Sequence, residues 1–352
     1  MPLEKSSTEL QQIAVDHAKA AARASYLSWR HLRSEYVQDI DTVLATIETD
    51  GPWTWTLPGD AMAATPTDGG GDDDDETLAP LTVPNEVLTY VSATNMNEIR
   101  QQYVEMRKTV ELWDWISMTD IRSSWYTLTH GVGSLTEKPL NTEFQVESVT
   151  LFPIGVNGIL GEVQIGALAN ERINRWPETP SKNNKMPMPA KRLQATLLHN
   201  EFMDALRAQD VARILATMRP NVATAIRSYL TDEYTVVNAE GSSELGAYYE
   251  ALFERFNVKE IRLVNRVVES WFIFAELHWI MEYRSGERAG NVVEFCTADV
   301  APIDPEGKFW VRTGAGTSPV ATKAGELDEY APYGDERGSK DRQGWEFKLI
   351  GE

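Results

Sequence analysis

Residues Gln38–Ile47 read QDIDTVLATI, and residues Gln209–Met218 read QDVARILATM. Gln, Asp, Leu, Ala and Thr keep their places, and the aliphatic positions between them exchange like for like. The offset is 209 − 38 = 171. A second match, Ser124-Trp125-Tyr126 against Ser270-Trp271-Phe272, has an offset of 270 − 124 = 146. Glu98 and Glu244, Ile99 and Leu245, and Tyr103 and Tyr249 share that second offset. The difference, 171 − 146 = 25, corresponds to one insertion in the first copy, where an Asp-rich stretch lies. A period of this length points to two copies of one domain rather than a short-repeat array.

The chain length, 352 residues, suits two domains, each able to bury its own core. The formal charge of −20 argues against nucleic-acid backbones and anionic membranes as partners. A single cysteine, Cys296, excludes an intramolecular disulfide and fits a reducing compartment. MPLEKSSTEL has no apolar core of a secretory signal, and no apolar run is long enough to span a bilayer. A cytoplasmic protein is therefore expected.

Residues 8–36 predict a helix, with Tyr26, Trp29 and Leu32 as its apolar face. Asp39 is the expected N-cap of a short second helix. Residues 53–57, WTWTL, alternate as a strand. TDGGGDDDDE, within the insertion 59–85, reads as an acidic surface loop; it lacks the spaced ligands and distal Glu of a calcium loop. A strand at 87–93, a helix at 95–110 and long β segments at 112–118, 121–134 and 144–167 complete the first domain, residues 1–168. Gly131, Gly133 and Gly155 are expected at bends or bulges.

Residues 169–191, polar and proline-rich, form the expected linker. The second domain, 192–317, repeats the pattern: helices at 192–208, 210–218 and 242–256, with strands at 222–230, 234–239, 258–268, 270–284, 291–303 and 308–314. Residues 318–352 form a charged tail without a counterpart. The expected fold is α+β: two tandem cone-shaped domains, each with helices packed on a curved, mostly antiparallel sheet.

This order resembles the nuclear-transport-factor-2-like superfamily and its SnoaL-like enzyme branch, over roughly residues 8–168 and 192–317. Ala208-Gln209-Asp210 is similar to the family's A-G-D turn between its first helices, and Asp299-Val-Ala-Pro-Ile-Asp-Pro-Glu-Gly307 to its strand–turn motif. The resemblance implies a ligand cavity between helices and sheet, and an activity among isomerases, dehydratases, cyclases, epoxide hydrolases or non-catalytic binders. It also implies a residue test against the ketosteroid-isomerase branch. That branch's helix tyrosine corresponds to His31 and Phe202, its general-base Asp to Trp55 and Ile226, and its protonated Asp to Thr150 and Asp299. Neither copy carries the whole isomerase set.

Candidate catalytic residues are His31 on the first helix, His130 and Tyr126 on the strand after Trp125, and Asp299. His130 is placed to approach His31 across the cavity. Asp299, beside Val293, Phe295 and Thr297, is expected to be desolvated enough to serve as an acid. Trp53, Trp55, Phe202 and His278 are the candidate substrate-binding residues, suited to a flat apolar or aromatic molecule. The face of Glu276, His278 and Glu282 is either cavity wall or the sheet's outer side.

Metal motifs, GxSxG, phosphate loops and dinucleotide fingerprints are missing from the sequence, so no metal and no cofactor is expected. The function expected is acid–base chemistry, as a lyase, dehydratase, isomerase or cyclase, on a hydrophobic small molecule. The alternative is a non-catalytic binding or assembly protein. An intramolecular pseudo-dimer through the sheets is expected, with further homo-oligomerisation left open.

Overall fold

A computed structural model describes residues 6–48, 53–58, 88–93, 95–138, 141–155, 158–169, 188–228, 235–304, 306–316 and 320–322. The acidic insertion beyond Pro58, most of the linker and nearly all of the C-terminal tail lie outside the described residues. The chain divides into two compact units, 24–187 and 188–352, with residues 1–23 grouped with the latter.

In the N-terminal unit α1 (Ser7–Tyr36) leads to α2 (Ile40–Leu44), β1 (Trp53–Pro58), β2 (Leu88–Ala93) and α3 (Met96–Thr109). Four long strands follow: β3 (Val110–Arg122), β4 (Tyr126–Glu137), β5 (Thr142–Pro153) and β6 (Glu162–Ala169). The spatial order is β2-β1-β6-β5-β4-β3. Every pairing is antiparallel except β1 with β6, where Trp55 meets Glu162.

The C-terminal unit repeats this with α4 (Met188–Ala208), α5 (Val211–Ala216), β7 (Met218–Ser228), β8 (Thr235–Glu240) and α6 (Gly241–Arg255). Its long strands are β9 (Phe256–Val268), β10 (Phe272–Tyr283), β11 (Val292–Pro302) and β12 (Phe309–Gly316). The order is β8-β7-β12-β11-β10-β9, again with one parallel junction, β7 with β12. A short β13 (Val320–Thr322), not expected from the sequence, adds to β11.

The repeated QD stretch forms the same corner twice. Gln38 and Gln209 take left-handed φ values of 56° and 55°. The next residue, Asp39 or Asp210, caps the short helix by accepting from the backbone N–H three residues on, Thr42 at 3.1 Å or Arg213 at 3.0 Å. A non-glycine residue in this conformation is strained, so something must hold it. In the C-terminal unit the Gln209 amide does so, donating to the Phe256 carbonyl and accepting from the Val258 N–H. In the N-terminal unit Arg107 donates to the Gln38 carbonyl.

The sequence reading needs three adjustments. The apolar face proposed for α1 is only partly the inward one: Leu32 packs against the core, but Trp29 is exposed, stacked under Arg33, and Ala24, Ser28 and His31 are the most buried. Small residues, not large ones, let this helix approach the sheet. The segment 144–167 is two strands, ended at Pro153, which has no N–H for a ladder. The turn between them passes Gly158, where a Cβ would stand 2.7 Å from the Thr46 carbonyl oxygen. Finally, the register shifts lie in β3, between Leu112 and Asp114 and between Ser117 and Thr119, on either side of the pairs Trp115–Gly133 and Ile116–Val132. Gly131 and Gly133 leave room for the Trp115 ring.

The C-terminal core forms between the helices and one face of β10 and β11, built from Phe202, Leu206, Tyr249, Leu277, Trp279 and Phe295 among others. The N-terminal core gathers Val43, Ile99, Tyr103, Phe152 and Ile159. Among the described residues no helix is long and apolar enough to cross a membrane.

Candidate functional site

His31 lies about two helical turns before the strained corner, on the buried face of α1, with no exposed surface. Its Nδ1 is 2.7 Å from Thr46 Oγ1. The Thr46 hydroxyl donates its only proton to the Val43 carbonyl at 2.6 Å, so toward His31 it acts as an acceptor. The imidazole proton therefore sits on Nδ1, and Nε2 presents its lone pair. Tyr103, from α3, places its hydroxyl 3.0 Å from Nε2. Phe152 of β5 packs edge-on to the ring at 5.3 Å.

Two carboxyls complete the cluster. Glu35 lies one turn after His31, its Oε1 3.6 Å from His31 Nε2. It also shares a hydrogen bond with the Tyr103 hydroxyl. That bond favours the ionised carboxyl and raises Tyr103, so in it the Tyr103 hydroxyl is the donor, and Glu35 and His31 Nε2 compete for its one proton. Tyr103 thus stands between Glu35 and His31. Glu162, at the start of β6, is buried, and its Oε2 has no hydrogen-bond partner. Ligand atoms of His31, Glu35 and Glu162 all lie within 4.8 Å of one another.

Burial dominates the protonation of this group. It pulls His31 down to about 3, so the imidazole is neutral. It pushes the Glu35 carboxyl up to about 7, against the Tyr103 hydrogen bond and the Arg107 charge. Glu162 is raised well above the carboxylate range, first by burial and then by the nearby Glu35. Tyr103 is held protonated by burial and by both carboxyls. A carboxyl near neutrality, a hydroxyl and a neutral imidazole joined by hydrogen bonds can pass a proton among themselves.

The corresponding positions of the C-terminal unit hold a different chemistry. His31 and Glu35 precede Asp39 by eight and four residues, where Phe202 and Leu206 precede Asp210. Tyr249 repeats Tyr103. Gln164 pairs with Thr150 and Gly314 with Asp299, so Glu162 and Arg312 each stand two residues earlier on the matching strand. Arg312 donates to Asp299 Oδ2 through Nε at 3.1 Å and through a terminal nitrogen at 2.6 Å. Its other terminal nitrogen donates to the Tyr249 hydroxyl, and the guanidinium lies 4.3 Å from the Phe202 ring centroid. Burial opposes the charge on Arg312, yet Asp299 and Tyr249 raise it above its usual value. His199, also buried on α4, is pulled down to about 4 by burial, with Asp299 opposing that shift.

Several sequence candidates are placed differently from expectation. Phe152 pairs with Thr127, and Ser28 of α1 meets the Thr127 hydroxyl, so Thr127 and Thr129 face the helix. Alternation turns Tyr126 and His130 to the opposite face, and His130 does not approach His31. It pairs there with Glu147 at 2.8 Å. His278 makes the matching pair with Glu294 at 2.9 Å, on the strand face opposite Leu277 and Trp279. It is thus on the outer alternative, not the cavity wall. Asp299 does face the helices, but it is bound by Arg312 rather than left as a desolvated acid. Phe202 is a core residue under that guanidinium. Trp53 and Trp55 lie in β1, and their side chains are outside the described residues.

Glu35, Tyr103, Glu162, His199 and Arg312 were not singled out as site residues. Tyr103 and Glu35 carried a signal: one is a repeated tyrosine, and the other is one helical turn from His31. Glu162 and Arg312 carried none, because only the sheet register brings them in.

No protein-family model and no curated protein sequence matches the chain. Solved structures do. A putative polyketide cyclase from Xanthomonas campestris pv. campestris is 16% identical, covers 36% of this chain and 91% of its own, and has a TM-score of 0.29. An LEH-like epoxide hydrolase from Mycobacterium tuberculosis is 13% identical over 35% of this chain and 78% of its own, with a TM-score of 0.28. A Delta 5-3-ketosteroid isomerase from Mycobacterium sp. is 12% identical over 37% and 98%, with a TM-score of 0.32.

Proposed function

We propose that this protein is a small-molecule enzyme whose proton-transfer site is the His31–Glu35–Tyr103–Glu162 cluster of the N-terminal unit. The observation that carries the reading is the buried hydrogen-bonded sequence from Glu35 through Tyr103 to a neutral His31. Glu35 keeps 12% of its side chain exposed, and so is the member through which the cluster meets solvent or substrate. In this reading Glu35 gives a proton to, or takes one from, a hydrophobic molecule. Tyr103 and His31 share the charge that develops, and Glu162 holds a second proton beside them. The reaction class is lyase or isomerase chemistry at an activated carbon. The Arg312–Asp299 pair of the C-terminal unit supports a structural role there, since its charges already satisfy one another.

The test uses a panel of aromatic and polycyclic ketones in deuterated water, with C–H exchange followed by NMR. Exchange is expected for at least one ketone, falling about a hundredfold in Glu35→Gln and Tyr103→Phe. Failure of the whole panel, or exchange unchanged in both variants, would sink the reading.

A further inference from the structure

We infer that the same cluster is a divalent-cation site, with His31 Nε2, Glu35 and Glu162 as its three protein ligands. Their ligand atoms lie within 4.8 Å of one another, although they come from one turn of α1 and from the first residue of β6. Donor atoms bound to one cation at about 2.0–2.2 Å sit roughly 3–4 Å apart, so small side-chain rotations close the set. A second observation points into the same space: Glu162 is 2% exposed, and its Oε2 has no hydrogen-bond partner. A buried carboxylate oxygen left bare is costly, and a cation would satisfy it.

The imidazole is already prepared. Thr46 accepts from Nδ1–H, which fixes the tautomer, and Nε2, now 3.0 Å from the Tyr103 hydroxyl and 3.6 Å from Glu35 Oε1, is the nitrogen that a cation would take over. A metal-ligating histidine is normally held by its far nitrogen in this manner. Phe152 fixes the ring from its side, and the Tyr103 hydroxyl stands beside the set. Two carboxylates balance the charge of one divalent ion. One nitrogen with two oxygens suits the borderline ions, zinc, cobalt and manganese, better than calcium. The partly exposed Glu35 is the entry side.

The site is the one assigned to proton transfer, but binding is read directly and does not depend on turnover.

The full-length protein, freed of metal with a chelator and dialysed, is titrated with cobalt chloride and followed by visible absorption. Zinc retained after dialysis is measured by elemental analysis. One equivalent per chain is expected, with an absorption band of low-symmetry cobalt. Glu162→Gln and Glu35→Gln should each weaken binding at least tenfold. Glu147→Gln and Glu294→Gln, which alter the two other buried His–Glu pairs, should leave it unchanged. Far-UV circular dichroism identifies any variant that fails to fold, and the remaining ligand variant then decides. Absence of cobalt binding, binding unaltered by both ligand changes, or loss confined to Glu147→Gln or Glu294→Gln would overturn the assignment.

Discussion

Replacing Arg312 with Met removes the only positive charge that, among the described residues, hydrogen-bonds Asp299. The two bonds end on Oδ2, and Oδ1 has none, so the variant strands a whole carboxylate in the core. Charge centres about 4 Å apart attract by about 4 kcal/mol at an effective dielectric near 20. The stacking of the guanidinium on Phe202 adds about 1 kcal/mol, and the Tyr249 hydroxyl loses its donor. Against this, the ion pair had already lost its hydration. The expected net loss is about 3–5 kcal/mol, the usual cost of removing one partner of a buried pair. For a unit of this size that lowers the melting temperature by roughly 6–20 °C.

The double variant Asp299→Asn/Arg312→Met should recover at least about 2 kcal/mol of the loss, because the stranded charge is gone. Urea unfolding followed by tryptophan fluorescence gives all four corners of the cycle. A loss below about 1 kcal/mol in the single variant, or strict additivity in the double, would show that the pair contributes little and that the C-terminal unit is not held by it.

His31→Ala and Asp299→Asn should separate in assays of turnover and melting: the first lowers any ketone exchange about a hundredfold, and the second acts chiefly on stability. Equal effects on exchange would refute the assignment of chemistry to the N-terminal unit. His199 is neutral in the fold, with its affinity for protons lowered to about 4, whereas in the unfolded chain it titrates near 6.5. Its contribution is therefore full above about 6.5 and is lost as pH falls toward 4, by up to roughly 3 kcal/mol relative to His199→Gln, measured by unfolding at a series of pH values. Asp39→Ala and Asp210→Ala should each cost about 1 kcal/mol through loss of the helix cap, read as a shift of the urea midpoint.

The repeated corner was legible because it is local: a cap, a fixed spacing and a short helix all lie within ten residues; Asp39 caps as expected, and Asp210 repeats it. The presence of the long strands was legible from alternation for the same reason, but not their order in the sheet. His31 was found through its distance from that corner. Its partners were not, because they depend on registers that alternation cannot supply. A strand's period says that Tyr126, Leu128 and His130 share a face, but not which face meets the helix. That choice is made by the pairing of Thr127 with Phe152 and by Ser28 reaching Thr127. A reading that starts from the large residues of α1 misses this, because the helix is seated by Ala24 and Ser28. Arg312 shows the same limit from the other side: an arginine in a strand looks exposed until the register sets it beside Asp299.

The parallel junctions, β1 on β6 and β7 on β12, have a consequence for synthesis. Each unit's first strand is held on one side by its last. While a nascent chain ends before Glu162, β1 has β2 beside it but nothing on its inner edge, and an open strand edge of that kind invites pairing with another chain. Closure must wait for β6, and likewise β7 must wait for β12. Long-range parallel pairing of this sort folds slowly. Chains stopped just short of residue 162 should therefore be chaperone-bound or aggregated, whereas those released after residue 169 should resist protease across their first sheet. The last strand of each unit acts as the latch for the first one made.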